Sequence, residues 1–284
     1  MDKLDSRLYA FRSDLADVKL KDKVEAKSYS EGREAQICVP VAKLYQKPSL
    51  ESGIDTEILL GMKIKIFDET QDFCWVQSQQ DGYVGYVKTQ DILKTVEQPT
   101  HIVNVPRTFI YSEPDLRKPL LNALSLGSMI TIVGEAETRG SHYGLLSTGG
   151  AVYLDHIVAI DSYERDFVSV AESLLGTPYL WGGASAFGID CSGLVQLALA
   201  RTGKIVLRDT DMQEKTIGTT LDANTQLQRG DFVFWKGHVA IMIDDKHIIH
   251  ANGASMDVKI EPLEAAIERI ARLYAKPTSF KRMS

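Results

Sequence analysis

One cysteine stands where an apolar helix is expected to begin. Cys191 follows the irregular stretch 177–183 and precedes the apolar residues Leu194 and Val195, a pattern that predicts a helix ending at Gly203. A thiol in the first helical turn faces the positive end of the helix dipole and unpaired backbone N–H groups. This setting favours the thiolate, so Cys191 is a candidate nucleophile. A small buried cysteine is the alternative interpretation.

Two histidines lie in a predicted β-hairpin downstream. Residues 238–251 contain two short, apolar and β-branched segments, separated by a turn signal around Asp245. A turn centred there places His238 near His250 on one face of the ladder and His247 on the other. The hairpin therefore brings one pair of imidazoles together.

The cysteine and this pair of histidines together indicate nucleophilic catalysis. A cysteine nucleophile needs a base within hydrogen-bond reach, and the base needs a group that orients it. Cys191, His238 and His250 supply such a set, although either histidine alone could be an ordinary strand residue. The spacing by itself predicts a cysteine hydrolase or acyltransferase. No cysteine pair has the spacing of a zinc site, so neither a metal nor an organic cofactor is expected.

These segments resemble the NlpC-type cysteine peptidases of bacterial cell walls. The matching motifs, in chain order, are PYLWGG (178–183), DCSGL (190–194), HVAI (238–241) and HA (250–251). The resemblance implies a papain-like fold in which Cys191 attacks, His238 is the base and His250 orients that base. It also implies cleavage of the bond between γ-D-glutamate and a diamino acid in peptidoglycan peptides.

The same resemblance implies substrate contacts around the nucleophile. Asp190, which composition alone favours as a helix N-cap, would recognise the amino terminus of the substrate. Ser192 could donate a hydrogen bond to the substrate. Asp209 and Thr210 lie in a segment similar to the family's Arg-Asp-Ser loop, with threonine in place of serine, and Trp181 is a candidate pocket wall.

An internal repeat organises the first half of the chain. Many positions recur 66 residues later, among them Val39/Val105, Pro40/Pro106, Tyr45/Tyr111, Pro48/Pro114, Leu50/Leu116 and Gly61/Gly127. Each copy contains several short strands broken by Gly and Pro, a pattern typical of a small barrel. Residues 85–87, following Trp75, resemble bacterial SH3-like domains.

The predicted fold class is α+β: two small SH3-like β-barrels followed by a papain-like α+β catalytic domain. The expected domains are a partly helical N-terminal arm at 1–35, SH3-like domains at 36–96 and 97–160, and the peptidase domain at 161–284. In the last domain, residues 164–175 predict an amphipathic helix with Ser162 as its N-cap, and residues 263–271 a second one.

The SH3-like domains admit two roles, tethering to the cell wall or shaping the pocket. In close relatives the first such domain recognises a free N-terminal alanine through a tyrosine and an acid. The resemblance places these roles on Tyr83 and on Asp55, with Glu51 as the alternative acid. A solvated loop charge is the simpler interpretation of Asp55.

Composition narrows the class of partner. The net charge of −6 and the absence of a basic run argue against nucleic acid and anionic membranes. The N-terminal stretch lacks the apolar core of a secretory signal, and three cysteines suit a reducing compartment, so a cytoplasmic location without membrane insertion is expected. The expected partner is a muropeptide of the L-Ala-γ-D-Glu-diamino acid type. The alternatives are an amidase or acyltransferase, or a non-catalytic wall-binding module.

Overall fold

The chain divides into two units, Met1–Ser162 and Tyr163–Ser284. The computed structural model describes residues 4–222 and 224–283. Within these ranges the N-terminal unit is built from strands and 3-10 turns, and every α-helix lies in the C-terminal unit. No helix in the described ranges is both long enough and apolar enough to cross a membrane.

The N-terminal arm is extended and irregular, so the prediction of partial α-helix was wrong for its described part. It contains β1 (Leu15–Asp17) and β2 (Ser28–Ser30), which pair in parallel, and a 3-10 turn at Val18–Leu20. The backbone carbonyls of Arg7 and Leu8 accept hydrogen bonds from the first barrel. Because tertiary partners take these groups, they are not used for i to i−4 helical bonds.

The first barrel is a seven-stranded sheet with the order β5-β4-β8-β7-β6-β3-β9. Its strands are β3 (Arg33–Ile37), β4 (Val41–Tyr45), β5 (Ile54–Leu59), β6 (Lys63–Glu69), β7 (Phe73–Ser78), β8 (Val84–Lys88) and β9 (Ile92–Leu93). A 3-10 turn at Thr89–Asp91 precedes the last strand. Alternate residues such as Leu44, Ile64 and Val76 are fully buried and form its core.

The second barrel repeats this plan in two sheets, β12-β11-β16-β15-β14 and β13-β10-β17. Its strands are β10 (His101–Val103), β11 (Arg107–Tyr111), β12 (Leu120–Ser125), β13 (Met129–Ile130), β14 (Ile132–Thr138), β15 (Ser141–Leu146), β16 (Ala151–Tyr153) and β17 (Ile157–Ala159). A 3-10 turn at Leu154–His156 lies between the last two strands.

The duplication predicted from the sequence is visible in the backbone. The bounds of β11 and β12 equal those of β4 and β5 shifted by 66 residues. The ladder irregularity at Leu44 in the first copy recurs at Ile110 in the second. Gly61 and Gly127 occupy the same turn with φ of +80° and +87°, a conformation that favours glycine.

The C-terminal unit has a six-stranded sheet with the order β20-β25-β21-β22-β23-β24. Its elements are α1 (Phe167–Ser173), β18 (Ala184–Ser185), β19 (Gly188–Ile189), α2 (Cys191–Ala200), α3 (Thr210–Thr216), β20 (Thr219–Thr220), β21 (Phe232–Trp235), β22 (His238–Met242), β23 (His247–Asn252), β24 (Asp257–Pro262), α4 (Leu263–Leu273) and β25 (Ser279–Arg282). Helix α2 lies against β22 and β23. Helix α4 packs on the sheet face that carries Ala240 and Met242.

Two helix boundaries differ from the sequence prediction. Helix α1 starts later than expected because Asp166, not Ser162, is its N-cap and accepts from Val168 N–H. The earlier residue Glu164 donates its N–H to the carbonyl of Arg201 instead. Helix α2 ends at Ala200, and the expected stop, Gly203, follows in a left-handed conformation at φ +77°.

Candidate active site

The predicted nucleophile is the first residue of α2. Cys191 is 6% exposed, and the carboxylate of Asp190 caps the helix by accepting the N–H of Gly193 at 2.7 Å. The loop before the helix packs directly on this turn. A Cβ added to Gly193 would lie 2.3 Å from the carbonyl oxygen of Gly183, so glycine at position 193 is needed for this approach. The expected placement of the thiol at a helix start is confirmed.

Burial opposes the thiolate that the sequence predicts for Cys191. Burial raises the pKa of Cys191 to about 11, and the negative charge of Asp190 adds to this increase. A hydrogen bond from the backbone N–H of Val239 and the hydroxyl of Thr210, 3.8 Å from Sγ, lower the pKa but do not offset burial. Desolvation therefore outweighs the hydrogen bonds that lower the pKa at this site.

The two imidazoles are joined as the hairpin predicted. The ladder pairs Ile241 with Ile249 and Met242 with Ile248, which is the register of a turn centred at Asp245. His238 Nε2 lies 2.8 Å from His250 Nδ1. Burial, together with the neighbouring His250, lowers the pKa of His238 to about 3. The lowered pKa favours the neutral imidazole of His238. This residue directly precedes Val239, whose backbone N–H contacts the thiol.

The imidazole pair continues into two residues that the sequence reasoning missed. His250, which is fully buried, has its Nε2 2.7 Å from Glu261 Oε1. The same carboxylate oxygen accepts from Arg269 of α4. Glu261 lies on β24, diagonal to His250 in the ladder. The alternation of apolar Val258 and Ile260 with polar residues was the available signal for this third strand.

The carboxylate of Asp190 is engaged on both oxygens, which corrects its expected role with the substrate amine. Oδ1 accepts from Gly193 N–H, Ser192 Oγ and Arg208 Nη1, and Oδ2 accepts from Gly182 N–H and Arg208 Nη2 at 2.7 Å. Arg208 is 1% exposed. We therefore assign Asp190 to an N-cap and a buried ion pair.

The hydroxyl of Ser192 belongs to the same network, which corrects its expected donation to the substrate. It donates to Asp190 Oδ1 at 3.2 Å and accepts from Arg208 Nη1 at 2.8 Å. The side-chain amide of Gln213 donates to the Ser192 carbonyl and ties α3 to this turn. These contacts hold the first turn of α2 in place.

Three other side chains from the loops around α2 and α3 differ in burial. The phenol of Tyr179 interacts with Cys191, and burial raises its pKa to about 12, so it stays protonated as a donor. Asp209 is half-buried at the start of α3, one residue before Thr210. The indole of Trp181 is 73% exposed and is therefore not a core residue. Tyr179 had no predicted role.

The two expected substrate contacts of the SH3-like domain lie in the N-terminal unit. Tyr83 is buried in the core of the first barrel, and Asp55 on β5 accepts a hydrogen bond from Gln46 at 2.6 Å. Glu51, the alternative acid, is exposed. Their roles remain predictions. Among residues 4–222 and 224–283, no cluster of three or more His, Cys, Asp or Glu side chains could hold a metal ion.

The fold and the site define a class: a papain-like α+β cysteine hydrolase that follows small β-barrels in the chain. Comparison with family models agrees. Residues 176–271 match the NlpC/P60 family, and residues 44–92 match the bacterial dipeptidyl-peptidase SH3 domain. The chain therefore carries an NlpC/P60 cysteine peptidase domain preceded by a bacterial dipeptidyl-peptidase SH3 domain.

Similar proteins share this arrangement over most of their length. Dipeptidyl-peptidase 6 of Lysinibacillus sphaericus is 29% identical, covering 81% of this chain and 92% of the relative. A gamma-D-glutamyl-L-lysine dipeptidyl-peptidase of Bacillus cereus is 26% identical, covering 74% of this chain and 71% of the relative. The crystal structure of an NlpC/P60 family protein from Bacillus cereus superposes with a TM-score of 0.72 at 22% identity, covering 88% and 99% of the two chains, and confirms the fold.

Proposed function

We propose that this chain is an endopeptidase that cleaves the bond between γ-D-glutamate and a diamino acid in peptidoglycan-derived peptides with a free N-terminal L-Ala. The observation that carries the proposal is Cys191 in the first turn of α2, beside the strand whose first residue, His238, is hydrogen-bonded to His250. The names of two relatives, both gamma-D-glutamyl-L-lysine dipeptidyl-peptidases, support the choice of scissile bond.

The first chemical step starts from a neutral thiol and a neutral imidazole. As Cys191 Sγ bonds to the γ-glutamyl carbonyl carbon, the thiol proton passes to His238, so that charge develops only during attack. The carbonyl oxygen becomes an oxyanion. The first-turn N–H of Cys191 and the phenol of Tyr179 are the donors for it, because the first helix N–H groups lack intrahelical partners and the raised pKa keeps the phenol protonated.

The second step releases the amine. The C–N bond breaks as the imidazolium of His238 gives its proton to the nitrogen of the diamino acid, leaving a thioester on Cys191. Water then attacks the thioester, transfers a proton to His238, and releases L-Ala-γ-D-Glu while the thiol is restored. His250 holds the ring of His238 throughout, through the 2.8 Å hydrogen bond.

Recognition of the substrate amine falls to Asp209 once Asp190 is excluded. Asp209 is the half-buried residue directly before Thr210, whose hydroxyl lies 3.8 Å from the thiol, and this adjacency supports the assignment. An ammonium paired with a carboxylate rejects an acylated amine by about 2–5 kcal/mol, because one charge loses its partner. This corresponds to a selectivity of about 30-fold or more. Tyr83 and Asp55 remain predicted contributors.

The test is kcat/KM on defined peptides. We expect release of the diamino acid from L-Ala-γ-D-Glu-diamino acid, with about 30-fold lower kcat/KM for the N-acetylated peptide and poor action on intact sacculi. Asp209→Asn should reduce this selectivity, and Tyr83→Phe and Asp55→Asn test the barrel contribution. Release of ammonia or transfer to an added amine instead would favour an amidase or acyltransferase. Sacculus binding without turnover would favour a wall-binding module.

A further inference from the structure

A line of hydrogen bonds runs from the base into the interior of the C-terminal unit. His238 Nε2 meets His250 Nδ1 at 2.8 Å, and His250 Nε2 meets Glu261 Oε1 at 2.7 Å. Arg269 donates to the same oxygen of Glu261. The chain thus crosses three elements, from β22 and β23 to β24, and ends on α4.

The direction of these hydrogen bonds follows from the acceptor at the end of the line. Hydrogen bonding to His250 and the positive charge of Arg269 hold the pKa of Glu261 below its usual range, so its carboxylate is ionised and can only accept. His250 must then carry its proton on Nε2, which leaves Nδ1 as an acceptor. His238 must in turn carry its proton on Nε2, which leaves its own Nδ1 with a lone pair.

We propose that Glu261 is a positioning residue that fixes the tautomers of both imidazoles and so makes Nδ1 of His238 the proton acceptor of the site. This inference rests on the proposed function only in taking His238 as the base. Without an acceptor at position 261, each imidazole can reverse its proton, and the reversed chain places N–H rather than a lone pair on Nδ1 of His238.

Arg269 has a separate electrostatic role in the same arrangement. Its positive charge lowers the pKa of His238, whereas the negative charge of Glu261 raises it. The two side chains, 34% and 16% exposed, therefore act on His238 with opposite signs while Glu261 accepts the hydrogen bond from His250. The charged groups that act on His238 are Arg269 and Glu261, and the exposed Lys259 lies opposite His250 on β24.

The direct test is the tautomer state read by ¹⁵N NMR of histidine-labelled protein at neutral pH. We expect His238 and His250 both to carry the proton on Nε2 in the wild type. Glu261→Leu should redistribute the protons toward Nδ1, while Glu261→Gln should retain the wild-type pattern, because Arg269 holds an amide oxygen at the shared position. A wild-type His238 protonated on Nδ1 overturns the proposal, and so do unchanged tautomers in Glu261→Leu.

Kinetics provide the second readout, and two exposed residues of α4, the helix that carries Arg269, serve as controls. We expect Glu261→Leu to lower kcat by about 10- to 100-fold, the range for groups that orient functional histidines, with KM little changed. Arg269→Met should move the acid limb of the pH profile toward neutral pH, and Glu261→Gln should not. Glu268→Gln and Arg272→Met, which break an exposed ion pair on α4, should change neither. The proposal is contradicted if Glu261→Leu and Arg269→Met match these two controls in kcat and in pH profile.

The two tests separate failure of the inference from failure of the proposed function. The NMR measurement needs no substrate, so it decides the tautomers even for a chain that leaves γ-glutamyl peptides intact. Melting temperatures of the five variants identify a loss of activity caused by unfolding. A variant that melts at the wild-type temperature, lacks the wild-type tautomers and has a reduced kcat supports a positioning role.

Discussion

Two buried polar networks flank the nucleophile, and they differ in how their hydrogen bonds end. The network around Asp190 is closed, because both carboxylate oxygens are occupied by Arg208 and by first-turn and loop donors. The chain from His238 through His250 to Glu261 is linear, and its first member has one ring nitrogen beyond the His250 contact. A closed network fixes geometry, whereas a linear chain of imidazoles can accept and return a proton.

The largest effect is expected at the nucleophile itself. Cys191→Ala removes the only atom that forms the proposed thioester and should lower kcat by several orders of magnitude. The melting temperature should change little because the substitution keeps a small residue at the helix start. The measurement is turnover of the defined peptide, with thermal unfolding as the control. Substantial residual turnover in pure protein would remove Cys191 from the mechanism.

The linear chain is next, with a graded response along it. His238→Ala should cost nearly as much as Cys191→Ala, because groups that act as a unit are not additive. His250→Ala should cost less, since it orients the base and does not take the proton. Comparing kcat of the two variants and of the double variant tests this order. A larger loss of kcat in His250→Ala than in His238→Ala would indicate that His250, and not His238, is the base.

The closed network should respond in stability. Arg208→Met leaves the carboxylate of Asp190 buried without its cation, and losing one partner of a buried ion pair costs about 3–5 kcal/mol. Urea unfolding of the variant measures the loss, and Arg272→Met, in an exposed pair, is the matched control. Equal stability of Arg208→Met and wild type would show that the buried pair contributes little.

Thiol reactivity distinguishes the neutral resting state from a preformed thiolate. Because burial raises the pKa of Cys191 to about 11, the rate of iodoacetamide inactivation should rise about tenfold per pH unit from pH 7 to 9. A thiolate formed at neutral pH would give a flat rate over this range.

EDTA should leave activity unchanged, since the sequence contains no zinc-type cysteine pair. Loss of activity on chelation, restored by zinc, would contradict the cysteine mechanism.

Short-range sequence patterns predicted the histidine pair, the two barrels and the start of the helix at Cys191. The turn signal near Asp245 and strict strand alternation fixed the register that joins His238 to His250. The 66-residue repeat predicted two barrels. The repeat is visible in the sequence because the same turn in each barrel requires a glycine, Gly61 in one and Gly127 in the other. The helix start at Cys191 followed from the change in hydrophobic period after it.

The remainder depended on contacts between distant segments. Arg208 lies 18 residues beyond Asp190, and only the folded chain shows that it occupies that carboxylate. Desolvation of Cys191 is a property of the packed site, and it reverses the sign of the pKa shift expected from the helix dipole. Glu261 approaches His250 from a third strand. Such tertiary pairings leave no short-range pattern in the sequence. The roles predicted for Tyr83 and Asp55 stay predictions.

The smallest effect is expected at His247, three residues before His250 on the same strand. Its ring points to the opposite face, where Nδ1 lies 2.9 Å from Asp244 Oδ2 and the side chain is 42% exposed. Solvent screens such a pair, so removing it leaves both packing and the proton chain intact. His247→Ala should therefore match wild type in kcat/KM and in urea midpoint when measured beside His250→Ala. A one-residue slip of β23 would move His247 and His250 onto exchanged faces. Loss of activity in His247→Ala larger than in His250→Ala would reveal that slip, and with it the failure of the linear chain from His238 to Glu261.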